Sequence, residues 1–159
     1  MNFIDEVLSN ISVMSADDVI QSMSRIYDEP VDRDALSAYP QFIQDIIWII
    51  DMDTELAMNG IGGLMENGTG RYADKMIDAL RHISADKEAE TLAQIYQIYQ
   101  SDLGSEKIDE LAGSLYLYTD FDIWPLLEAY VEAEKGKEDT RQANDRHFKK
   151  RRDRSHGYN

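Results

Sequence analysis

Apolar residues recur every three or four positions along most of the chain, which is the spacing of one face of an α-helix. The first stripe follows Asn2 and the second follows Ser15, so each of these polar residues is placed to cap a helix. Strand-like alternation is almost absent. The pattern predicts an all-α fold in the form of a single compact multi-helix bundle.

The most apolar segment begins after Pro40. Large apolar side chains there surround nearly the whole helix, which is typical of a helix buried on all sides. We therefore expect this helix to form the centre of the core. Asn59-Gly60 is predicted to break or sharply bend it. The large side chains are Phe42, Ile43, Ile46, Ile47, Trp48, Ile49 and Ile50.

Further stripes predict helices after Tyr72, after a cap at Ser84, and from Asp120 to Glu134, where Pro125 suits a first turn or a small kink. Beyond residue 135 the apolar spacing stops. The sequence thus predicts an acidic helical domain over 1–134 and a basic, flexible C-terminal tail over 135–159, either disordered or a solvent-exposed helical extension.

Charge is distributed very unevenly. The 159 residues carry a formal net charge of −15. Residues 1–134 hold 27 acidic and 7 basic residues, whereas residues 135–159 hold 4 acidic and 9 basic ones, so the body is −20 and the tail +5. A body with this charge repels nucleic acid and anionic membranes and attracts basic proteins. We expect a basic protein partner and no direct binding of nucleic acid or membrane.

Location is predicted from three features. There is no cysteine, and the longest apolar run is far shorter than the ~20 residues needed to cross a bilayer. Asp5 and Glu6 stand where a secretory signal would carry basic residues. We expect a cytoplasmic protein.

Three alternating carboxylates, Asp51, Asp53 and Glu55, resemble the start of a calcium-binding loop. Leu56 and Gly62, however, occupy the positions where such a loop needs Gly and Glu. We therefore predict no metal site, no cofactor and no catalytic residues, and a protein that is not an enzyme. An enzyme that uses the three carboxylates as acid and base stays as an alternative.

The glycine-rich segment 60–63 follows a predicted helix, whereas a phosphate-binding loop follows a strand. Turn formation and close packing explain it better. His82 lies near the end of its predicted helix, where it interacts favourably with the helix dipole. Neither feature predicts a ligand.

Carboxylates cluster in several short segments. On a helix, carboxylates four residues apart are separated by ~6 Å of rise, and a row of them can imitate the charges of a DNA backbone. A solvated acidic face is the alternative explanation. The candidate partner-binding residues are Asp28, Glu29, Asp32, Asp34, Asp86, Glu88, Glu90, Asp102, Glu106, Asp109, Glu110, Asp120 and Asp122.

The segment from Trp48 to Ile83 resembles a family of helical domains of unknown function typified by a bacterial DNA-mimic protein. The family motif reads approximately Glu-Val-Asn-Asn-Gly-Gly-Phe-x-Gln-Phe-Phe-x-Asn-Ser-Ser-Gly. Aligned without gaps, it coincides with this chain at Glu55, Gly60, Asn67 and Gly70, while Leu56, Ile61, Leu64 and Met65 keep apolar positions. The chain departs from the motif at Ala57, Met58, Asn59 and Gly63.

The resemblance implies an all-α protein that occupies the DNA-binding surface of a basic, nucleic-acid-binding partner. An immunity or antitoxin-like protein that neutralises a basic toxin is the alternative. We expect the motif to be structural, with Glu55 accepting hydrogen bonds from the backbone of the loop 67–70 and with Asn59 and Gly60 at the helix break. For the tail we expect contact with the acidic body of the same chain or of a second copy, so a homodimer stays open.

Overall fold

The computed structural model of the protein describes residues 2–101, 106–115 and 122–156, without the side chains of residues 68 and 69. Every regular element within these ranges is an α-helix or a 3₁₀ helix, which confirms the all-α prediction. Short 3₁₀ helices cover Ile11–Val13, Ser24–Tyr27, Arg33–Ala38, Gly68–Tyr72 and Gly113–Leu115. The α-helices are α1 (Phe3–Ser9), α2 (Ala16–Met23), α3 (Gln41–Glu66), α4 (Ala73–His82), α5 (Asp86–Ser101), α6 (Glu106–Ala112) and α7 (Trp124–Ser155).

Reciprocal side-chain hydrogen bonds start the first two helices. The Asn2 side chain accepts from the Asp5 N–H, and the Asp5 carboxylate accepts from the Asn2 N–H. Ser15 and Asp18 form the same arrangement at α2. Both predicted caps are confirmed, because each pairing satisfies two N–H groups that have no partner within the helix.

Helix α3 is the centre of the core, as predicted. It starts at the N-cap Pro40, whose missing N–H costs nothing at a helix start. Ile43, Ile46, Ile47 and Ile49 are fully buried. Helices α2, α4, α6 and α7 all pack against α3, so its faces are covered on several sides by the rest of the bundle.

Gly60 bends α3, as the sequence predicted. Its backbone has φ 67° and ψ −171°, outside the helical region, and the helix continues beyond it to Glu66. A positive φ is available to glycine at little cost and is strained for other residues. The bend thus separates the last six residues of α3 from the rest of the helix.

The predicted cap at Ser84 is wrong. Ser84 lies in the turn between α4 and α5 with φ 69°, and its N–H donates to the Arg81 carbonyl. Helix α5 begins two residues later, at Asp86. A left-handed conformation is uncommon for a residue other than glycine, so the turn geometry has overridden the local capping preference of serine.

Helix α7 crosses the predicted boundary at residue 134 without a break, and Pro125 lies in its first turn as expected. Glu138 is buried, and the Gln142 side chain donates to the Leu8 carbonyl at the end of α1 at 3.1 Å. Side chains from residue 143 to residue 156 are exposed. Of the two alternatives for the tail, the structure therefore shows a helical extension. The first part of this extension contacts α1 through Gln142. Its last part, residues 147–156, is exposed and is called the basic arm.

Two C-terminal truncations test whether these two parts of α7 contribute differently to stability. Removal of residues 147–159 is expected to leave the melting temperature unchanged to within about 1 °C, because the described part of that segment is exposed. Removal of residues 135–159 also deletes Glu138 and Gln142. Because the hydrogen bond from Gln142 to α1 is then lost, the free energy of unfolding should fall by about 1–3 kcal/mol. Thermal unfolding followed by circular dichroism measures both, and equal melting temperatures for the two truncated proteins would contradict the assignment.

Within the described ranges, none of the helices has the combination of length and apolar character that a membrane span requires.

Candidate functional site: the acidic surface and the Glu55 junction

The first acidic cluster, the 28–34 row, comprises Asp28, Glu29, Asp32 and Asp34, and all four side chains are exposed. Glu29 is paired with Arg25, which precedes the row in the chain, at 2.9 Å. The Asp34 carboxylate accepts from the Tyr72 hydroxyl at 2.9 Å and from Arg71 at 2.8 Å. These two hydrogen bonds, the tyrosine's first, hold the pKa of Asp34 below its usual range. Asp34 is thus kept ionised and fixed against the start of α4.

The second cluster, the α5–α6 row, lies on two helices that contact each other. Asp86 and Glu90 are four residues apart on α5, so they share one face of that helix. All members are exposed except Glu88, which is half-exposed, and none of them forms an ion pair with another described residue. The row consists of Asp86, Glu88, Glu90, Glu106, Asp109 and Glu110.

The remaining candidates are Asp122 and two residues outside the described ranges. Asp122 is exposed and accepts from the Trp124 N–H at 3.2 Å, at the start of α7. Asp102 and Asp120 lie outside the described residues. Most of the described candidate residues therefore lie in two exposed rows. The binding of one partner by all of them stays a prediction.

A buried ion pair, missed by the sequence analysis, holds the 28–34 row to α3. Arg33 donates to the Asp51 carboxylate from Nε at 2.6 Å and from Nη2 at 2.9 Å, and the Asp51 side chain is only 6% exposed. The hydrogen bonds to Asp51 raise the pKa of Arg33. The Tyr27 hydroxyl also donates to Asp51, and burial raises the Tyr27 pKa to about 12. At neutral pH this cluster is a fixed, fully paired link.

Glu55 joins the two ends of the bent helix segment. Its Oε1 accepts from the side-chain amides of Asn59, at 3.0 Å, and Asn67, at 2.5 Å. Both of these donors are side-chain amides, and the predicted backbone donors from the loop 67–70 stay a prediction. One carboxylate fixes residues on both sides of the Gly60 bend. That the motif is structural stays a prediction.

Close packing explains two glycines at this junction. A Cβ atom on Gly63 would lie 2.2 Å from the Asn59 Cβ and 3.1 Å from the Glu55 Oε1. A Cβ atom on Gly70 would lie 2.1 Å from the Met65 carbonyl oxygen. Neither position has room for a side chain. Asn59 and Gly63, which depart from the family motif, therefore fit each other.

Replacement of Glu55 by alanine should destabilise the protein by ~1.5–3 kcal/mol, the usual cost of losing hydrogen bonds to a charged group. Both side-chain amides lose their shared acceptor in this variant. Urea unfolding of Glu55→Ala beside Glu66→Ala, an exposed glutamate on the same helix, measures the difference. A Glu55→Ala protein as stable as the wild type but impaired in partner binding would show instead that Glu55 belongs to a binding site.

The calcium-like pattern does not produce converging carboxylates. On a helix, side chains that are two residues apart point in nearly opposite directions. Asp51 and Glu55 accordingly line one cavity, of about 460 Å³, whereas Asp53 lines a different one with Trp124. No cluster of metal-binding side chains occurs in the part of the chain that the structure describes.

A second buried carboxylate, Asp45, connects three helices. It is 1% exposed and accepts from the Gln41 amide at 3.0 Å and from the Tyr130 hydroxyl at 2.6 Å. His82 Nδ1 lies 3.0 Å from the same carboxylate, so its role is not limited to the helix dipole. Burial and the neighbouring carboxylate raise the pKa of Tyr130. This cluster links α3 to α4 and α7 and is structural.

The described part of the protein is thus all-helical and has two exposed rows of carboxylates. The family model described as DMP19-like protein, a name that denotes a DNA mimic protein, matches residues 37–149, which is more than half of the chain. The chain belongs to this family. The matched region extends across residue 134 and ends within the basic arm of α7. No curated protein and no solved structure matches the chain.

Proposed function

We propose that this protein is a non-enzymatic DNA mimic that binds a basic, nucleic-acid-binding protein and blocks or modulates it. The single observation that carries the proposal is the α5–α6 row, whose exposed carboxylates have no described counter-charge. Family membership supports the same conclusion. Because these groups are solvent-accessible and make no ion pair with another described residue, they are available to the lysine and arginine side chains that would otherwise contact phosphates.

The mechanism follows from exposed charge. Carboxylates on the α5–α6 row and the 28–34 row attract a basic surface over about one Debye length, which is ~10 Å at 0.1 M salt. Association should be fast at low ionic strength and should slow as salt is added. The encounter is thus steered by the same electrostatic forces that bring DNA to its binding proteins.

The setting of this activity is proposed to be the cytoplasm, since a chain without cysteine needs no oxidising compartment.

The basic arm, which projects from the acidic body, is proposed to contact the carboxylates of a second copy and to compete weakly with the basic partner. Removal of residues 147–159 should then tighten the binding of a basic protein, as measured by calorimetry at low salt. Weaker binding after removal would contradict this role.

Affinity capture tests the proposed function. Wild-type protein on a column is expected to retain a nucleic-acid-binding protein from a lysate of the source cells at low salt and to release it as salt rises. A second column carries a variant with the α5–α6 row neutralised, and it should retain much less of the same protein. Retention of a protein without nucleic-acid-binding activity, or equal retention on both columns, would overturn the proposal.

A further inference from the structure

A groove of about 480 Å³ lies where α2, α3 and α7 meet. It is distinct from both acidic rows. Its walls carry one carboxylate from each helix, Asp17, Asp53 and Glu128, and apolar residues Ile20 and Ile50 also line it. No basic side chain contributes to its lining.

Asp53 is the unusual member of this group. It lies in the middle of α3, half-buried, with no hydrogen-bond or ion-pair partner among the described residues, and burial raises its pKa. Asp17 and Glu128 likewise have no described ion pair. In the neighbouring cavity, by contrast, Arg33 pairs with Asp51. A half-buried carboxylate without a counter-charge costs stability, so the groove has a charge that a ligand could neutralise.

Aromatic surface completes the groove. Trp124 is half-buried at its edge, and Tyr27, which is 50% exposed, lines it as well. A planar guanidinium stacks on such rings and is less strongly hydrated than an ammonium group, and its five N–H donors suit several carboxylates at once. Arginine therefore matches the groove better than lysine does.

We propose that the groove formed by Asp17, Asp53, Glu128 and Trp124 binds an arginine side chain presented by the basic partner. The identity of the partner rests on the proposed function, whereas the chemistry of the groove can be tested without that partner. Since the groove combines stacking with one half-buried carboxylate, Asp53, this contact should be less sensitive to salt than the contacts of the α5–α6 row.

The test uses capped five-residue peptides with one central arginine, lysine or leucine between alanines. The chain has two tryptophans, and Trp48 is buried at 3% exposure, so the indole N–H signals in NMR spectra distinguish the groove from the core. The arginine peptide should shift the Trp124 signal in a saturable manner and leave Trp48 unmoved. The lysine peptide should bind roughly five-fold more weakly, and the leucine peptide should produce no saturable shift.

Variants link the signal to the carboxylates. Asp53→Asn and Glu128→Gln should each weaken binding of the arginine peptide by about five-fold or more, while Glu66→Gln, which removes the same charge elsewhere on the surface, should not. Asp53→Asn should also raise the melting temperature by about 1–3 °C. The folded protein holds the Asp53 proton more tightly than the unfolded chain does, so this group's contribution to stability falls as pH rises through its raised pKa. The gain should therefore be full at neutral pH and shrink in acid.

Several outcomes would overturn the groove as an arginine site. One is a Trp124 signal that the arginine peptide does not move, and another is a response to the leucine peptide equal to the response to the arginine peptide. A shift of the Trp124 signal produced by Mg²⁺ alone would assign the groove to a cation, and a shift produced by raising the protein concentration would assign it to a second copy. A lower melting temperature for Asp53→Asn would show a structural role for that carboxylate. Failure of the peptide titrations, with the α5–α6 row still required for capture of a basic protein, would reject the groove and leave the proposed function intact.

Discussion

Arg33→Met is expected to lower the free energy of unfolding by about 3–5 kcal/mol, the typical cost of leaving one partner of a buried ion pair without its counter-charge. Asp51 is the group left behind, with the Tyr27 hydroxyl as its described donor. At 2–4 °C of melting temperature per kcal/mol for a protein of this size, the loss corresponds to roughly 6–20 °C. Urea unfolding at neutral pH measures it directly.

The chain offers a matched control in a second Arg–Asp pair. Arg71 and Asp34 are 63% and 64% exposed, and their distance of 2.8 Å is close to that of the buried pair. Because solvent screens exposed pairs, the urea midpoint of Arg71→Met should stay close to that of the wild type. Equal losses for Arg33→Met and Arg71→Met would show that burial of Asp51 carries no special penalty. Combination of Arg33→Met with Asp51→Leu should recover much of the stability, since the orphaned charge is removed as well.

Neutralisation of the α5–α6 row should reduce the affinity for the basic partner by roughly 30- to 1000-fold at low salt. The variant carries Asp86→Asn, Glu90→Gln, Glu106→Gln and Glu110→Gln. Four exposed contacts at about 0.5–1 kcal/mol each give 2–4 kcal/mol. The loss should appear mainly in the association rate and should diminish as salt rises, because the wild-type interaction is itself screened.

The control for this variant must have the same net charge. Neutralisation of Glu66, Asp74, Asp139 and Asp153 removes four carboxylates from outside both acidic rows, and it should change affinity by less than about three-fold. Asp86 and Glu106 lie in the first turns of their helices, so their removal also costs a few tenths of a kcal/mol of helix stability each. Circular dichroism checks that the variant is folded. Equal losses in the two variants would mean that only total charge matters.

Local chemistry made parts of the fold predictable. The caps at Asn2 and Ser15 and the bend at Gly60 depend on residues within four positions of one another, and all three are confirmed. The length of α7 was harder to predict, because its apolar spacing ends near residue 135. The helix continues because short-range ion pairs, such as Lys137 with Glu134 and Arg141 with Asp145, favour it in addition to the contact of Gln142 with α1.

The polar clusters of the interior could not be predicted from spacing. Asp45 meets Tyr130 across 85 positions of sequence, and Asp51 meets Arg33 across 18. Helical periodicity shows which face of a helix is apolar, but it does not show which other helix covers that face. The available signal was a carboxylate, such as Asp45 or Asp51, on the inward side of the most apolar helix. Such a residue requires partners, although their identity needs the fold.

Competition with duplex DNA for the captured basic protein tests the central claim most directly. The partner is immobilised, the acidic protein is bound at low salt, and duplex DNA is added in increasing amounts. Mimicry predicts mutually exclusive binding: DNA displaces the protein completely, and the apparent Kd of the protein rises in proportion to the DNA concentration. A stable complex in which the partner holds DNA and this protein together would contradict the account.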